Sequence, residues 1–291
     1  MTDRIGIIGF PTRHSISPTF QNAALGFCKL DAQYEYWEVE PSKLAEMFRF
    51  LREDDDVIGA NITVPYKEAT PPFMDQLDPS ATRVGAVNTV VARNGKLIGY
   101  NTDTAGFLSS LKGHDVLGKE GLSVLLLGAG GAARAIVPSL VQMGTTHMVV
   151  ANRTLETAVA LASFANGYGI DSLSVELSEH LLATQSIQRR WDLIINTTPI
   201  GTKYTEFELD SPISPDIISQ DALVYDLVYN PPVTPLLRSA VANGAKVKSG
   251  LHMLVYQGAE SFTLWTNTEA PVDVMMTAAE RALNRSITPE S

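Results

Sequence analysis

Along the first hundred residues, short apolar runs alternate with stretches whose apolar positions recur every three to four residues, the pattern of strands interleaved with amphipathic helices. Arg4–Ile8, Tyr34–Val39, Val57–Ile62, Val87–Ala92 and Lys96–Tyr100 read as strands, with helices over Pro18–Lys29 and Pro41–Arg52. Asn94-Gly95, set between two β-like runs, predicts a tight hairpin, so at least one strand pair is antiparallel and this sheet is mixed. From Leu122 the rhythm becomes strand then helix, with candidate strands at Leu122–Leu127, His147–Ala151, Leu173–Glu176, Asp192–Asn196, Leu223–Leu227 and Lys246–Lys248. That spacing predicts a doubly wound parallel sheet. After Gly250 two helical runs, His252–Trp265 and Val272–Asn284, are followed by no strand, so they must pack on an existing layer, and the expectation is a return to the first domain. The chain therefore reads as α/β with two domains: residues 1–106, completed by 252–291, around a mixed sheet, and residues 107–251 as a Rossmann domain. Residues 286–291 read as a frayed tail.

The clearest chemistry lies where the first strand of the second half ends. The run Leu122–Leu127 passes straight into Gly128-Ala129-Gly130-Gly131-Ala132-Ala133, and a helix-forming run over 132–143 begins at once. A glycine turn at a helix N-terminus offers free N–H groups and the positive end of the helix dipole, which suits a pyrophosphate. Gly128 permits the turn, Gly130 lets backbone approach the phosphates, and Ala133 is small enough for close helix–strand packing. Sites that prefer NAD place an acidic residue at the end of the next strand for the ribose 2′-hydroxyl. Here that end carries Asn152, Arg153 and Thr154, whose guanidinium and hydroxyl groups suit a 2′-phosphate, so the expected cofactor is NADP. Glu156 and Thr157 follow, and an inward-facing Glu156 would oppose a 2′-phosphate and loosen that preference.

Composition narrows the partners. Hydrophobic residues make up 45 % and charged residues 19 %, as in an ordinary globular protein, and the net charge of −10 argues against a broad nucleic-acid or anionic-membrane surface. The start, Met1-Thr-Asp-Arg, lacks a signal-peptide pattern and no apolar run is long enough to span a bilayer, so the expectation is a cytoplasmic protein acting on a small molecule. Cys28, the only cysteine, sits beside Leu25, Phe27 and Leu30, and the expectation is a buried structural thiol. His14, His114, His147, His180 and His252 lack metal-ligand spacing, so no metal is expected. Glu53-Asp-Asp-Asp56 reads as a solvated turn.

Three segments of the first half carry polar groups at strand or helix ends. In Gly9-Phe-Pro-Thr-Arg-His-Ser15-Ile-Ser17-Pro18, two hydroxyls precede a Pro-initiated helix and would suit a carboxylate, with simple N-capping by Ser17 as the plainer reading. In Asn61-Ile-Thr63-Val-Pro-Tyr-Lys67, a strand end presents a hydroxyl and an ammonium; a lysine fixed there can donate a proton to a carbonyl oxygen and take it back in reverse. In Gly-Ala-Val-Asn88-Thr and Tyr-Asn101-Thr-Asp103, two amides and a carboxylate stand at strand ends, with Asp103 able to orient Lys67.

Taken in order, His-Ser-x-Ser-Pro, Asn-x-Thr-x-Pro-x-Lys, Gly-Ala-Val-Asn-Thr, Asn-Thr-Asp-x-x-Gly-Phe, the glycine loop, Asn-Arg-Thr, Asn196-Thr-Thr-Pro-Ile-Gly201, Asp226-Leu-Val-Tyr229-Asn-Pro and Leu254-Val-Tyr-Gln257-Gly resemble the shikimate and quinate dehydrogenase family. The resemblance implies reversible reduction of 3-dehydroshikimate to shikimate with NADPH, on the route to aromatic amino acids. It places Lys67 and Asp103 as the catalytic pair, Ser15 and Ser17 on the substrate carboxylate, and Thr63, Asn88, Asn101 and Gln257 on its hydroxyls, with Tyr229 approaching the carboxylate. It further assigns Thr197, Gly250 and Leu251 to the cofactor and allows either a monomer or a homodimer. Two other readings stay open. One is a quinate/shikimate enzyme of broader substrate and NAD/NADP use, and the other a dinucleotide-sensing protein without catalysis, against which the retention of both Lys67 and Asp103 counts.

Overall fold

The computed structural model describes residues 2–177 and 190–285; His180 and the 286–291 tail lie outside the described residues. The chain divides into two compact units, Met1–Phe107 with Leu254–Ser291, and Leu108–Met253.

The first unit is built on a six-stranded sheet: β1 (Asp3–Gly9), β2 (Ala32–Glu38), β3 (Val57–Ile62), β4 (Gln76–Leu77), β5 (Thr89–Arg93) and β6 (Lys96–Tyr100), in the order β2-β1-β3-β5-β6-β4. Strand β1 runs parallel to β2 and β3, whereas β5 is antiparallel to both β3 and β6, so the sheet is mixed. The β5–β6 hairpin turns at Asn94 and Gly95, both at positive φ (53° and 70°), the geometry that asparagine-glycine tolerates. Helices α1 (Ser17–Phe27), α2 (Leu44–Glu53), α3 (Pro79–Val84) and α4 (Asp103–Ser110) complete this part of the chain.

Strand β4 and helix α3 lie in a stretch where hydrophobic periodicity showed no element. Helix α3 is too short to show a period, yet its end signals are present: the Asp78 side chain accepts the Ser80 N–H at 2.8 Å, Pro79 opens the helix and Gly85 closes it. The second helical run starts as a 3-10 turn over Pro41–Lys43 before becoming α2. Cys28 departs from expectation: helix α1 ends at Phe27, the left-handed Lys29 (φ 55°) turns the chain away, and Cys28 is half-buried beside a Phe27 that is 65 % exposed. Of the acidic run, Glu53 ends α2 and the rest is a turn tied by Asp54, whose carboxylate accepts the Asp56 N–H at 3.0 Å and pairs with Arg4 at 3.3 Å.

The second unit contains β7 (Leu122–Leu127), α5 (Gly131–Gln142), β8 (Thr145–Asn152), α6 (Leu155–Asn166), β9 (Asp171–Glu176), β10 (Leu193–Asn196), β11 (Leu223–Asp226), α7 (Pro235–Ala242) and β12 (Lys246–Ser249). All six strands are parallel in the order β12-β11-β10-β7-β8-β9, and all six residues of β7 are buried, as a central parallel strand covered on both faces requires. Helices α8 (Leu251–Thr266) and α9 (Val272–Arg285) follow, and from Leu254 onward they belong to the first unit, where α9 packs on α1. The unit boundaries fall inside α4 and α8 rather than in linkers.

Helix α8 is fastened to the first sheet at Trp265, whose indole N–H donates to the Val90 carbonyl at 2.9 Å above Gly59. A Cβ on Gly59 would stand 2.3 Å from that indole nitrogen and 2.4 Å from the Val90 oxygen. Gly59→Ala is expected to cost about 1–3 kcal/mol, read as a lower urea midpoint; an unchanged midpoint would mean that α8 is not held at this point.

Candidate active site

The sheet register of the first unit collects its polar residues at one end. Ile8 pairs with Ile62, Asn61 with Thr89, and Thr89 with Tyr100. The segments leaving β1, β3 and β6 and the segment entering β5 therefore meet at the same edge, and they carry Ser15, Thr63, Lys67, Asn88, Asn101 and Asp103. The Lys67 ammonium lies 2.6 Å from Asp103 Oδ2, with the lysine side chain 21 % exposed and the carboxylate 6 %. The other carboxylate oxygen, Oδ1, accepts from Asn88 Nδ2 at 2.8 Å. Asp103 opens α4, and its backbone N–H donates to Asn101 Oδ1 at 3.1 Å while Asn101 Nδ2 donates to the Ala86 carbonyl at 3.0 Å. Gln257, from α8, presents Oε1 to Asn88 Nδ2 at 3.3 Å. Five of the nine predicted catalytic and substrate residues thus form one hydrogen-bonded cluster that leaves the ammonium partly open to solvent.

Ser15 and Ser17 stand together with their hydroxyls 3.1 Å apart, but Ser17 is not the helix cap. It is the first helical residue; Ile16 occupies the cap position without a side-chain bond, and the Thr19 N–H that a Ser17 cap would need is taken by the Ile16 carbonyl at 3.0 Å. The Ser17 N–H is satisfied instead by Ser15 Oγ at 3.2 Å, and Tyr36 fixes the Ser15 carbonyl at 2.8 Å. This leaves a hydroxyl pair at a helix N-terminus, an arrangement suited to an anion. Thr63, half-buried, is anchored through its N–H to the Ile8 carbonyl at 2.8 Å.

In the second unit the strand order reverses between β7 and β10, the place where open parallel sheets bind ligands. The glycine loop sits there. Gly128 has φ +100°, and a Cβ on it would stand 2.4 Å from Thr197 Oγ1, so that threonine packs under the turn while donating to the Leu127 carbonyl at 2.8 Å. Gly130 faces open space, and α5 starts with no side-chain cap, so the first-turn N–H groups, including those of Gly131 and Ala132, point outward without helical partners. Ala129 lies in the turn, and Ala133 is buried against the sheet. At the end of β8, Asn152 Nδ2 donates to Thr157 Oγ1 at 2.6 Å and to the Thr154 carbonyl at 3.0 Å, and Thr157 closes the knot to that same carbonyl at 2.8 Å. Arg153, Thr154 and Glu156 are exposed around it. The donor set fits a dinucleotide: an open glycine cradle for the pyrophosphate and a guanidinium at the second strand for a 2′-phosphate. Gly250 has a packing reason of its own, since a Cβ there would come within 2.0 Å of the Leu227 carbonyl; Tyr229 lies half-buried after β11.

Sequence reasoning gave no role to a buried carboxylate next to these loops. Asp226 ends β11 wholly out of solvent and accepts from Asn196 Nδ2 (2.9 Å), Thr234 Oγ1 (2.6 Å) and the Val228 N–H (3.0 Å). It ties the loops after β10 and β11 to the start of α7. Burial pushes its carboxyl up to about 6, against the lowering effect of its three donors. The available signal was a lone acidic residue closing an apolar strand.

Residues 7–90 match the family model described as shikimate dehydrogenase substrate binding domain, 114–198 that of shikimate / quinate 5-dehydrogenase, and 250–280 that of the shikimate 5′-dehydrogenase C-terminal domain. A shikimate dehydrogenase (NADP(+)) of Moorella thermoacetica is 42 % identical over 287 residues, covering 98 % of this chain and 95 % of its own length. Shikimate 5-dehydrogenase from Thermus thermophilus, solved in complex with NADP(H) and shikimate, superposes with a TM-score of 0.83 at 36 % identity, covering 97 % of this chain and all (100 %) of that one. The enzyme from Listeria monocytogenes, solved in complex with shikimate and NAD, gives 0.84 at 33 % identity, covering 95 % and 96 %.

The raised Asp226 pKa has a measurable consequence. The native state holds this proton more tightly than the unfolded chain does, so the group's contribution to stability is present at low pH and is lost as pH rises from its ordinary value of 3.8 through about 6. Relative to wild type, Asp226→Asn should gain up to about 3 kcal/mol between pH 4 and pH 7, measured by urea denaturation; a gap that does not move with pH would refute the assignment.

Proposed function

Because this chain belongs to the shikimate dehydrogenase family, we propose that it catalyses the reversible NADPH-dependent reduction of 3-dehydroshikimate to shikimate, a step toward aromatic amino acids. The observation that carries the reading is the 2.6 Å Lys67–Asp103 pair, set among amides at a strand edge and open to solvent only on the lysine side. When bound, NADPH supplies the hydride. The protein's own part is to handle the proton and hold the substrate. Lys67 Nζ donates to the carbonyl oxygen as it gains charge, and takes the proton back from the hydroxyl in the oxidative direction. Asp103 keeps the ammonium aimed, because a buried carboxylate with one oxygen already on Asn88 offers only the other to Lys67.

Substrate orientation follows from chemistry at the two ends of the site. The Ser15 and Ser17 hydroxyls, at the positive end of α1, suit the carboxylate. Thr63, Asn101 and Gln257 suit ring hydroxyls; Asn88 has much of its capacity committed inside the protein, so its contribution to the substrate is secondary to its hold on Asp103. On the second unit, the α5 first turn takes the pyrophosphate and Arg153 the 2′-phosphate. The exposed Glu156 in the first turn of α6, together with a threonine at 157, favours some tolerance of NAD.

Initial rates with shikimate or quinate, each with NADP or NAD, test both aspects. Turnover is expected chiefly with shikimate and NADP, with a measurable rate on NAD; comparable efficiency with quinate and NAD would select the broader quinate/shikimate enzyme. Lys67→Ala should lower kcat by about 100-fold or more while calorimetric shikimate affinity falls far less. Loss of affinity in step with kcat would remove Lys67 from proton transfer.

A further inference from the structure

Behind the Lys67–Asp103 pair lies a layer of hydroxyl and amide groups that the proton transfer itself does not touch. Asn61, Thr89, Thr102 and Ser261 are all buried. The Tyr34 hydroxyl, kept protonated by burial that pushes its pKa well above the ordinary range, donates to Asn61 Oδ1 at 2.7 Å. Asn61 Nδ2 faces the Asn88 carbonyl (3.2 Å), Thr89 Oγ1 (3.2 Å) and Ser261 Oγ (3.1 Å). With an amide donor on its acceptor side, Thr89 turns its own hydrogen to Asn88 Oδ1 at 2.9 Å. The same oxygen accepts the Thr102 backbone N–H at 2.8 Å. With Thr89's hydrogen on Asn88, Ser261 gives its own hydrogen to Thr89 Oγ1 at 2.8 Å, and its hydroxyl sits 3.0 Å from the Gln257 carbonyl of the same helix, so this layer is linked to α8.

These bonds decide which way the Asn88 amide faces. An amide oxygen held by a backbone N–H and a hydroxyl cannot exchange places with its nitrogen, so Nδ2 is committed to Asp103 Oδ1. Packing alone does not require a hydroxyl at residue 89, since valine has almost the same shape. We infer that Thr89 is a positioning residue for the reaction: backed by Asn61, Thr102 and Ser261, it fixes the Asn88 amide and thereby holds the Asp103 carboxylate in the orientation that presents Lys67 to the substrate. This rests on the reading of Lys67 and Asp103 as the proton-handling pair.

The test compares Thr89→Val, which keeps shape and loses the hydrogen bond, with Thr89→Ser, which keeps the bond. Steady-state shikimate oxidation is followed for both alongside wild type, at a temperature where circular dichroism shows each to be folded. Thr89→Val should lose about tenfold or more in kcat with a much smaller change in shikimate KM, and Thr89→Ser should recover most of it. Ser261→Ala should give a smaller loss of the same kind, and it carries the test if Thr89→Val does not fold. Wild-type kcat in Thr89→Val, a defect confined to KM, or a serine variant as impaired as the valine one would each overturn the inference. Inactivity of the wild-type protein toward shikimate would instead count against the reading of the site itself.

Discussion

Taking a carboxylate almost out of water demands a site where it is paired and hydrogen-bonded. Asp103 meets that demand with Lys67 on one oxygen and Asn88 on the other, and much of the first unit's sheet end follows from it. Asn88 can serve Asp103 only if its own oxygen is held, which calls on Thr89 and the Thr102 N–H. Thr89 in turn sits opposite Asn61 across the β3–β5 ladder, and α8 closes the layer with Ser261 and Gln257. The mixed topology makes this possible: an antiparallel β5 brings the start of one strand to the end of its neighbour, so residues distant in sequence share one edge.

The candidate cofactor site of the second unit is built in another way. Its glycine loop works with backbone, and what the side chains contribute is mostly absence: no Cβ on Gly128, where Thr197 packs, and none on Gly130, which faces open space. Backbone N–H groups at a helix start are fixed by the helix itself, so the phosphate site needs little support from a surrounding network. The Asp226 cluster stands apart from that economy. It fastens neighbouring loops through side chains, with a carboxyl that burial makes reluctant to ionise.

The two ways of building a site explain which parts were visible in advance. The parallel strands, the glycine loop and the Asn94-Gly95 hairpin are local features, each written in a few consecutive residues whose period or φ preference has one outcome. Short elements without a period, such as β4 and α3, were passed over even though Asp78-Pro79 marks the helix start. Capping by Ser17 was the plainer reading beside a carboxylate site, but α1 starts with no side-chain cap and Ser17 instead donates its own N–H to Ser15 Oγ. Cys28 read as buried because its neighbours are apolar, but where α1 ends leaves it half-buried and its neighbour Phe27 exposed.

By itself the sequence determined the alternation of elements, the mixed and parallel characters of the two sheets, the glycine loop at the start of a helix and which polar residue types stand at the strand ends of the candidate site. These depend on hydrophobic period, turn chemistry and side-chain pKa class, all of which act within a few residues. Only the tertiary structure decided which amide faces which carboxylate. Asn61, Thr89, Thr102 and Ser261 are ordinary polar residues in isolation; their meaning lies in hydrogen bonds that span up to 200 positions, and the direction of each bond is set by what its partner has left to give.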